Sequence, residues 1–435
     1  MKLNYTEGFY NISFFNINIA TEEELTRDVI EKNKASFIHE FIHYLQDLVL
    51  TYNIRYSLSN IRWFSDILQS ARESGIINRP FNAWSSESCI LKMQFLRGFG
   101  ANQIISSASE IGIATSDYEV ITGYDGYLHK SREHRVYEYV LPVFEHDKSN
   151  TIEYRLGARD ILEYIAYKIG HKNFPDESSA PQFPYKTIDL IFNKYGLEDV
   201  SDDIRICIAE RCLYNDMPIH FLFSAVLSNE DFKRYIVNSD YERIYNCMLS
   251  GVTVTRDGQR ELLSAKRQRR LIQFANELQT LYDGFGEIKK WILKVNSFVE
   301  DNLSERFIFS DIYKMSMDEL LSFVNKVILN IGIPLVINSK EKYISICAND
   351  IQTSEFIQFY ILQRFIYFIG TNAIQCPIHN FCKANGGKCN ANCILDKDFV
   401  IHGNANCHFR KFLENYELLN VKILCKPSDE QSDKK

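Results

Sequence analysis

Residues 34–53 read KASFIHEFIHYLQDLVLTYN. Phe37, Phe41, Leu45 and Leu48 recur at helical spacing and no Pro or Gly interrupts them, so the stretch predicts one helix with a buried face. Residues 39–43 within it are His-Glu-Phe-Ile-His, the pattern H-E-x-x-H. Positions i and i+4 lie on one helix face with Cβ atoms about 5–6 Å apart. Two imidazoles so placed can hold one zinc ion at about 2.0–2.1 Å each. Glu40 is rotated about 100° from His39. It borders the open coordination position, where it can act as general base toward water and return the proton to a leaving group.

At ordinary residue frequencies this string arises by chance in roughly one chain of this length per hundred. Its setting argues for function. It lies inside a well-patterned helix, and strand-like sequence precedes it, since Phe9–Ala20 (FYNISFFNINIA) is aromatic and β-branched with partial alternation. Thr21 followed by Glu24 reads as a capping box that starts helical sequence before the motif, and Ser59–Glu73 continues helical after it. In this setting HEFIHYLQD, His39–Asp47, resembles the active-site helix of the zincin metallopeptidases. The metzincin extension needs Gly at 46 and His at 49; Gln46 and Val49 stand there, which removes that branch. The chain is similar instead to the gluzincin type, in which a Glu on a later helix completes the metal site. No Glu occurs between Leu48 and Arg72, so this ligand comes from farther along.

The expected third ligand is Glu163, in GARDILEYIA at residues 157–166. Its E-x-x-A pattern, on a helix predicted over Gly157–Gly170, resembles the third-ligand segment of several gluzincin-like families. Residue chemistry supports it independently. Gly157, Ala158 and Ala166 are small enough for close packing on the motif helix, and Ile161, Leu162 and Ile165 form a buried face. An acid amid such packing needs a partner, and a metal is one. Glu153, Glu138 and Asp160 are the alternatives. Thr151–Leu156, just before, reads as a strand and resembles the edge strand along which such peptidases align substrate by backbone pairing. Tyr154, Arg155, Tyr164, Tyr167 and His171 are candidate donors to a developing oxyanion. Gln46 and Asp47, one turn past His43, are candidate partners for its imidazole.

The 435 residues are 46% hydrophobic and 13% aromatic, enough to bury real cores. A mainly α architecture with a small β component (α+β) is expected. A zincin-like domain would span 1–250, a helical domain 259–370, a Cys/His-rich metal module 371–425 and a disordered tail 426–435, with Gly251–Gly258 as a boundary. RVYEYVLPVFE and TIEYRL read as strands around a turn at His146–Asn150. Helices are expected at about 187–194, 202–214, 219–227, 229–249, 261–283, 286–302, 316–330 and 353–370.

The formal net charge of −7 argues against a chain built mainly to bind nucleic acid. The run Lys266-Arg267-Gln268-Arg269-Arg270 reads as a solvated helix face, with a nucleic-acid contact as the sharper alternative. No run approaches the roughly 18 apolar residues a membrane span needs, and the first residues lack a basic and then apolar leader. A cytoplasmic protein with no membrane partner is expected. Six of the 11 cysteines fall between Cys376 and Cys425, which in a reducing compartment suggests metal. Cys376, Cys382, Cys389 and Cys393 are the minimal ligand set for a second, structural zinc. Cys407, His379, His402 and His408 compete for places in it, and an iron–sulfur cluster or ordinary thiols are the alternatives.

These features together predict a zinc-dependent metallopeptidase that hydrolyses an amide bond of a protein or peptide substrate. The alternative, from another class, is a recognition module for a protein or nucleic-acid partner in which the H-E-x-x-H helix is degenerate or regulatory.

Overall fold

Helix Lys34–Val49 lies deep in the molecule, and all of its residues except Lys34, Ser36 and Glu40 are buried. The computed structural model describes residues 15–81, 87–100, 103–112, 115–123, 132–145, 150–175, 180–251, 253–254, 260–304, 306–347, 353–371, 376–387 and 407–425. The fold is mainly α with a small β component.

The motif helix stops at Leu50, whose backbone is extended at φ −87° and ψ 128°, and a second helix runs Thr51–Ser74 to a left-handed cap at Gly75, φ +68°. The single helix expected over 34–53 is thus two, with the break at an apolar residue that carries no breaker signal. The first helix before the motif begins at Arg27 rather than after Thr21. Its cap is Thr26, whose side chain accepts from Val29 N, whereas Thr21 Oγ1 only accepts from Glu23 N in a local turn.

Strand Asn16–Ile19 runs parallel to Ile333–Asn338, which pairs antiparallel with Tyr343–Ile346. The motif helix packs on the first of these strands, and Tyr44 donates to the Gly332 carbonyl at 2.8 Å where the central strand begins. Helix Leu263–Leu281 packs on both Thr51–Ser74 and Gly286–Leu303. One apolar cluster therefore extends from Phe15 to Ile423, and packing crosses the glycine-bounded stretch at 251–258. On helix Leu263–Leu281 the basic run does not form a solvated face. Lys266, Arg267 and Arg270 are buried beside Leu263, Leu271 and Phe274, while Gln268 and Arg269 are exposed.

A second sheet is antiparallel. Strand Arg132–Phe144 is paired along one edge with Glu110–Ile111 and Thr115–Gly123, and along the other with Thr151–Leu156. Among the described residues Thr151–Leu156 has no further strand partner, so it is an edge. Its alternate residues Tyr154 and Leu156 are buried and Glu153 and Arg155 face solvent, as a half-covered strand requires.

From this edge the chain passes through Gly157 into helix Ala158–Asn173. A Cβ on Gly157 would lie 2.1 Å from the carbonyl carbon and oxygen of Phe99, the last residue of helix Glu87–Phe99. Glycine is needed because another backbone crosses there. This corrects the expectation that Gly157 packs on the motif helix. Helix Ala158–Asn173 does pack on the motif helix, but Gly157 makes its close approach to Phe99 and Gly100. Among the described residues no helix is long and apolar enough to cross a membrane.

Candidate metal centre

Two helices from distant parts of the chain bring three side chains to one point. His39 and His43 project from the motif helix, and Glu163 from the second turn of Ala158–Asn173. His39 Nε2 and His43 Nε2 are 3.2 Å apart, and each lies 3.3 Å from Glu163 Oε2. The relative exposures are 7%, 2% and 1%. Two donors about 2.0–2.1 Å from a common ion at the tetrahedral angle lie about 3.3 Å apart. The triangle therefore has the edge length of one face of a tetrahedral metal site. This buried His, His and Glu group can hold a metal ion.

The protonation pattern points the same way. Gln46 Nε2 donates to the Leu162 carbonyl at 3.1 Å, so its amide oxygen is the end that meets His43 Nδ1 at 2.8 Å. An oxygen there requires the proton on Nδ1, which leaves Nε2 of a neutral ring as a bare lone pair. That lone pair faces a carboxylate oxygen and a second imidazole nitrogen. Such a triangle calls for a cation at its centre, and the donor set fits a metal. Gln46 is fully buried and ties the motif helix to the turn that carries Glu163. It is one of the two partners expected for the His43 ring; the other, Asp47, accepts from Asn53 at 3.0 Å.

Burial opposes ionisation of Glu163, but with the His43 and His39 rings protonated and no metal bound, their charge and hydrogen bonds outweigh burial and hold its carboxyl well below the usual range; a metal cation takes that place when the rings are neutral. Glu40 is half-buried at the neighbouring helix position. Burial pushes its carboxyl up to about 7, with His39 opposing and Glu163 adding to the rise. A metal cation in the triangle would lower it again.

The other acids weighed as third ligand are placed elsewhere. Asp160 caps its own helix, accepting from Gly157 N at 2.9 Å, Tyr154 Oη at 2.7 Å and Thr187 Oγ1 at 2.9 Å. Burial raises it to about 6 against those three donors. Glu138 stands 3.6 Å from Arg97, and Glu153 is exposed on the edge strand.

The oxyanion candidates separate by what holds them. Tyr154 gives its hydroxyl proton to Asp160, and Tyr164 gives its own to Asp189 at 2.9 Å. Arg155 and His171 are exposed. Tyr167 lies one turn beyond Glu163, stacks on His171 with centroids 5.3 Å apart, and meets Tyr185 at 5.9 Å. Tyr185 in turn stands 6.2 Å from the His39 ring. Tyr185 was not among the expected site residues. It lies at the end of the proline-rich loop 174–185, where no periodicity marks a direction for its side chain.

In the C-terminal segment Cys382 is buried on helix His379–Ala384, and Cys407 caps helix His408–Asn415 with its Sγ accepting from Arg410 N. Among the described residues no group of three or more potential metal ligands forms there. Cys389, Cys393 and His402 lie outside the described residues. No family model, curated protein or solved structure matches the chain, so the chemistry of the site rests on its own atoms.

Proposed function

We propose that the chain is a zinc-dependent metallopeptidase. The observation that carries this is the buried triangle of His39, His43 and Glu163, with tetrahedral edge lengths and a glutamate next along the helix. The set of two imidazoles and one carboxylate is one that catalytic zinc sites use, leaving a fourth position open. Zinc bound there would supply Lewis acidity toward a carbonyl oxygen and toward water.

The chain's own residues supply the rest. Glu40 takes a proton from the attacking water and delivers it to the departing amine nitrogen. Its position one residue from His39 on the motif helix, bordering the open coordination position, suits both halves of that transfer. Gln46 holds the His43 ring in the tautomer that presents Nε2. Among the described residues Thr151–Leu156 has one unpaired edge, which offers backbone N–H and C=O groups to an extended peptide, and the helix that follows carries Glu163. Edge pairing of this kind favours a peptide over a compact small molecule as substrate. A structural zinc held by Cys376, Cys382, Cys389 and Cys393, with Cys407 competing, belongs to the same proposal and rests on cysteine spacing.

Glu40→Gln is the direct test. It should lower hydrolysis of a peptide library by about 10²–10⁴-fold, the usual weight of a general base, while zinc content is unchanged. Wild-type turnover in that variant, or no turnover by the zinc-loaded wild type on any peptide, overturns the proposal. Elemental mass spectrometry should count two zinc ions per chain, falling to one in Cys376→Ser; a count of one in the wild type removes the second site.

A further inference from the structure

Helix Leu263–Leu281 turns part of its basic run inward, toward the start of helix Thr51–Ser74. Arg270 Nη1 donates to the Thr51 carbonyl at 3.0 Å and its Nη2 to Asp216 Oδ1 at 2.8 Å. Arg55 pairs with the other oxygen of the same carboxylate. Lys266 donates to the Tyr214 carbonyl at 2.8 Å and stands 3.9 Å from Asp216. Arg211, only 5% exposed, lies within electrostatic reach of Lys266, with its guanidinium 4.9 Å from the Phe221 ring. Burial lowers the Lys266 ammonium to about 8, and Arg270, Arg55 and Arg211 add to that while Asp216 opposes it. Three cations, Arg55, Lys266 and Arg270, thus gather around one carboxylate. Glu261, within electrostatic reach of Lys266 and Arg270, is engaged by Arg269 at 2.8 Å.

Two buried groups around this cluster lack partners. Thr51 Oγ1 and Tyr52 Oη are buried without a hydrogen bond, and Tyr52 lies within electrostatic reach of Arg55 and Asp216. The cluster is not sealed, since the side chains of Arg55 and Asp216 are 24% and 36% exposed. Buried positive charge in excess of its counter-ions is unfavourable unless an anion joins it. The complement of two guanidinium forks, an ammonium and two hydroxyls is a compact anion with more than one charge and several acceptor oxygens. A singly charged carboxylate would leave the excess unbalanced.

We propose that Arg55, Lys266 and Arg270 form a binding site for a phosphoryl group, carried by inorganic phosphate or by a small phosphate monoester. Asp216 holds the forks in place, and its own negative charge opposes any incoming anion. The site is separate from the His39, His43 and Glu163 centre and independent of the activity proposed for it.

Calorimetric titration of the zinc-loaded full chain tests this, with inorganic phosphate and adenosine monophosphate as probes and potassium chloride at matched ionic strength as control. Saturable binding of one phosphate per chain, not reproduced by chloride, is expected. Binding of phosphate alone assigns the free ion, and binding of both probes assigns the ester. Arg55→Gln, at the mouth, should weaken binding at least tenfold with an unchanged melting temperature. Asp216→Asn should tighten it severalfold while lowering stability in the absence of phosphate, a split that a purely structural ion cluster would not show. Absence of saturable binding, wild-type affinity in Arg55→Gln, or equal or weaker binding in Asp216→Asn overturns the proposal. Phosphate held at the metal would be indifferent to both substitutions and so falls among those outcomes.

Discussion

Glu163 and Glu210 lie equally deep, at 1% and 0% exposure, and each has one carboxylate oxygen, Oε1, without a hydrogen bond. Their ionisation is opposite. Burial raises both, but Glu163 faces two imidazoles and is driven below the ordinary carboxylate range. Glu210 meets only backbone N–H groups at the start of helix Ile308–Lys314, with Oε2 accepting from Phe309 and Ser310 at 2.9 Å each, and burial, with Asp311 adding, carries it up to about 8. Depth therefore does not decide the state of a buried acid; the charge of what it faces does. One glutamate is an anion within a group that can hold a metal ion, and the other is a neutral acid below about pH 8 at the start of helix Ile308–Lys314.

Three substitutions break or sharpen this contrast. Glu163→Ala carries the largest expected effect. Two histidines alone leave half of a four-coordinate site open, so zinc affinity should fall by more than the roughly 10–100-fold of an outer-shell change. Competition with a chromophoric chelator measures it, and undiminished affinity would take Glu163 out of the site. Glu210→Gln should act on stability instead. The proton is retained in the folded state up to about 8 and released in the unfolded state near 4.5, so wild-type stability is full below 4.5 and declines as pH rises toward 8. The variant should match wild type at pH 4 and exceed it at pH 8 by on the order of a few kcal/mol. Denaturant melts at a series of pH values would show this, and parallel curves would mean that Glu210 is ionised in the fold. Gln46→Leu is the mildest. It removes the acceptor for His43 Nδ1 and should weaken zinc about 10–100-fold with both histidines intact. An unchanged zinc affinity would show that the tautomer needs no such support.

What could be read from the sequence depended on how local the signal was. His39 and His43 share a face by helix geometry alone, and Gln46 follows by the same logic one turn on. Glu163 could be proposed because small and apolar neighbours mark its helix as buried, although 120 residues separate it from His43. The partner of Gly157 could not be read, since nothing in its neighbourhood names Phe99, a residue brought in by tertiary packing. The break at Leu50 follows no breaker residue. The basic run was misjudged for a subtler reason. Leu263, Arg267, Arg270, Phe274 and Leu278 recur at steps of three and four, so two of its arginines fall on the apolar stripe. Charge alone suggested solvent, whereas periodicity places them inside.

Gln46 has a kinetic consequence. Its amide spans from the His43 ring to the Leu162 carbonyl, so the spacing of the two ligand-bearing helices is held by protein–protein contacts. Ion uptake then resembles filling a rigid socket rather than nucleating a fold, unlike small zinc domains whose folding depends on the ion. Ion entry would then be governed by access past half-buried Glu40. The residue assigned to move protons in hydrolysis thus also stands on the path by which the ion comes and goes.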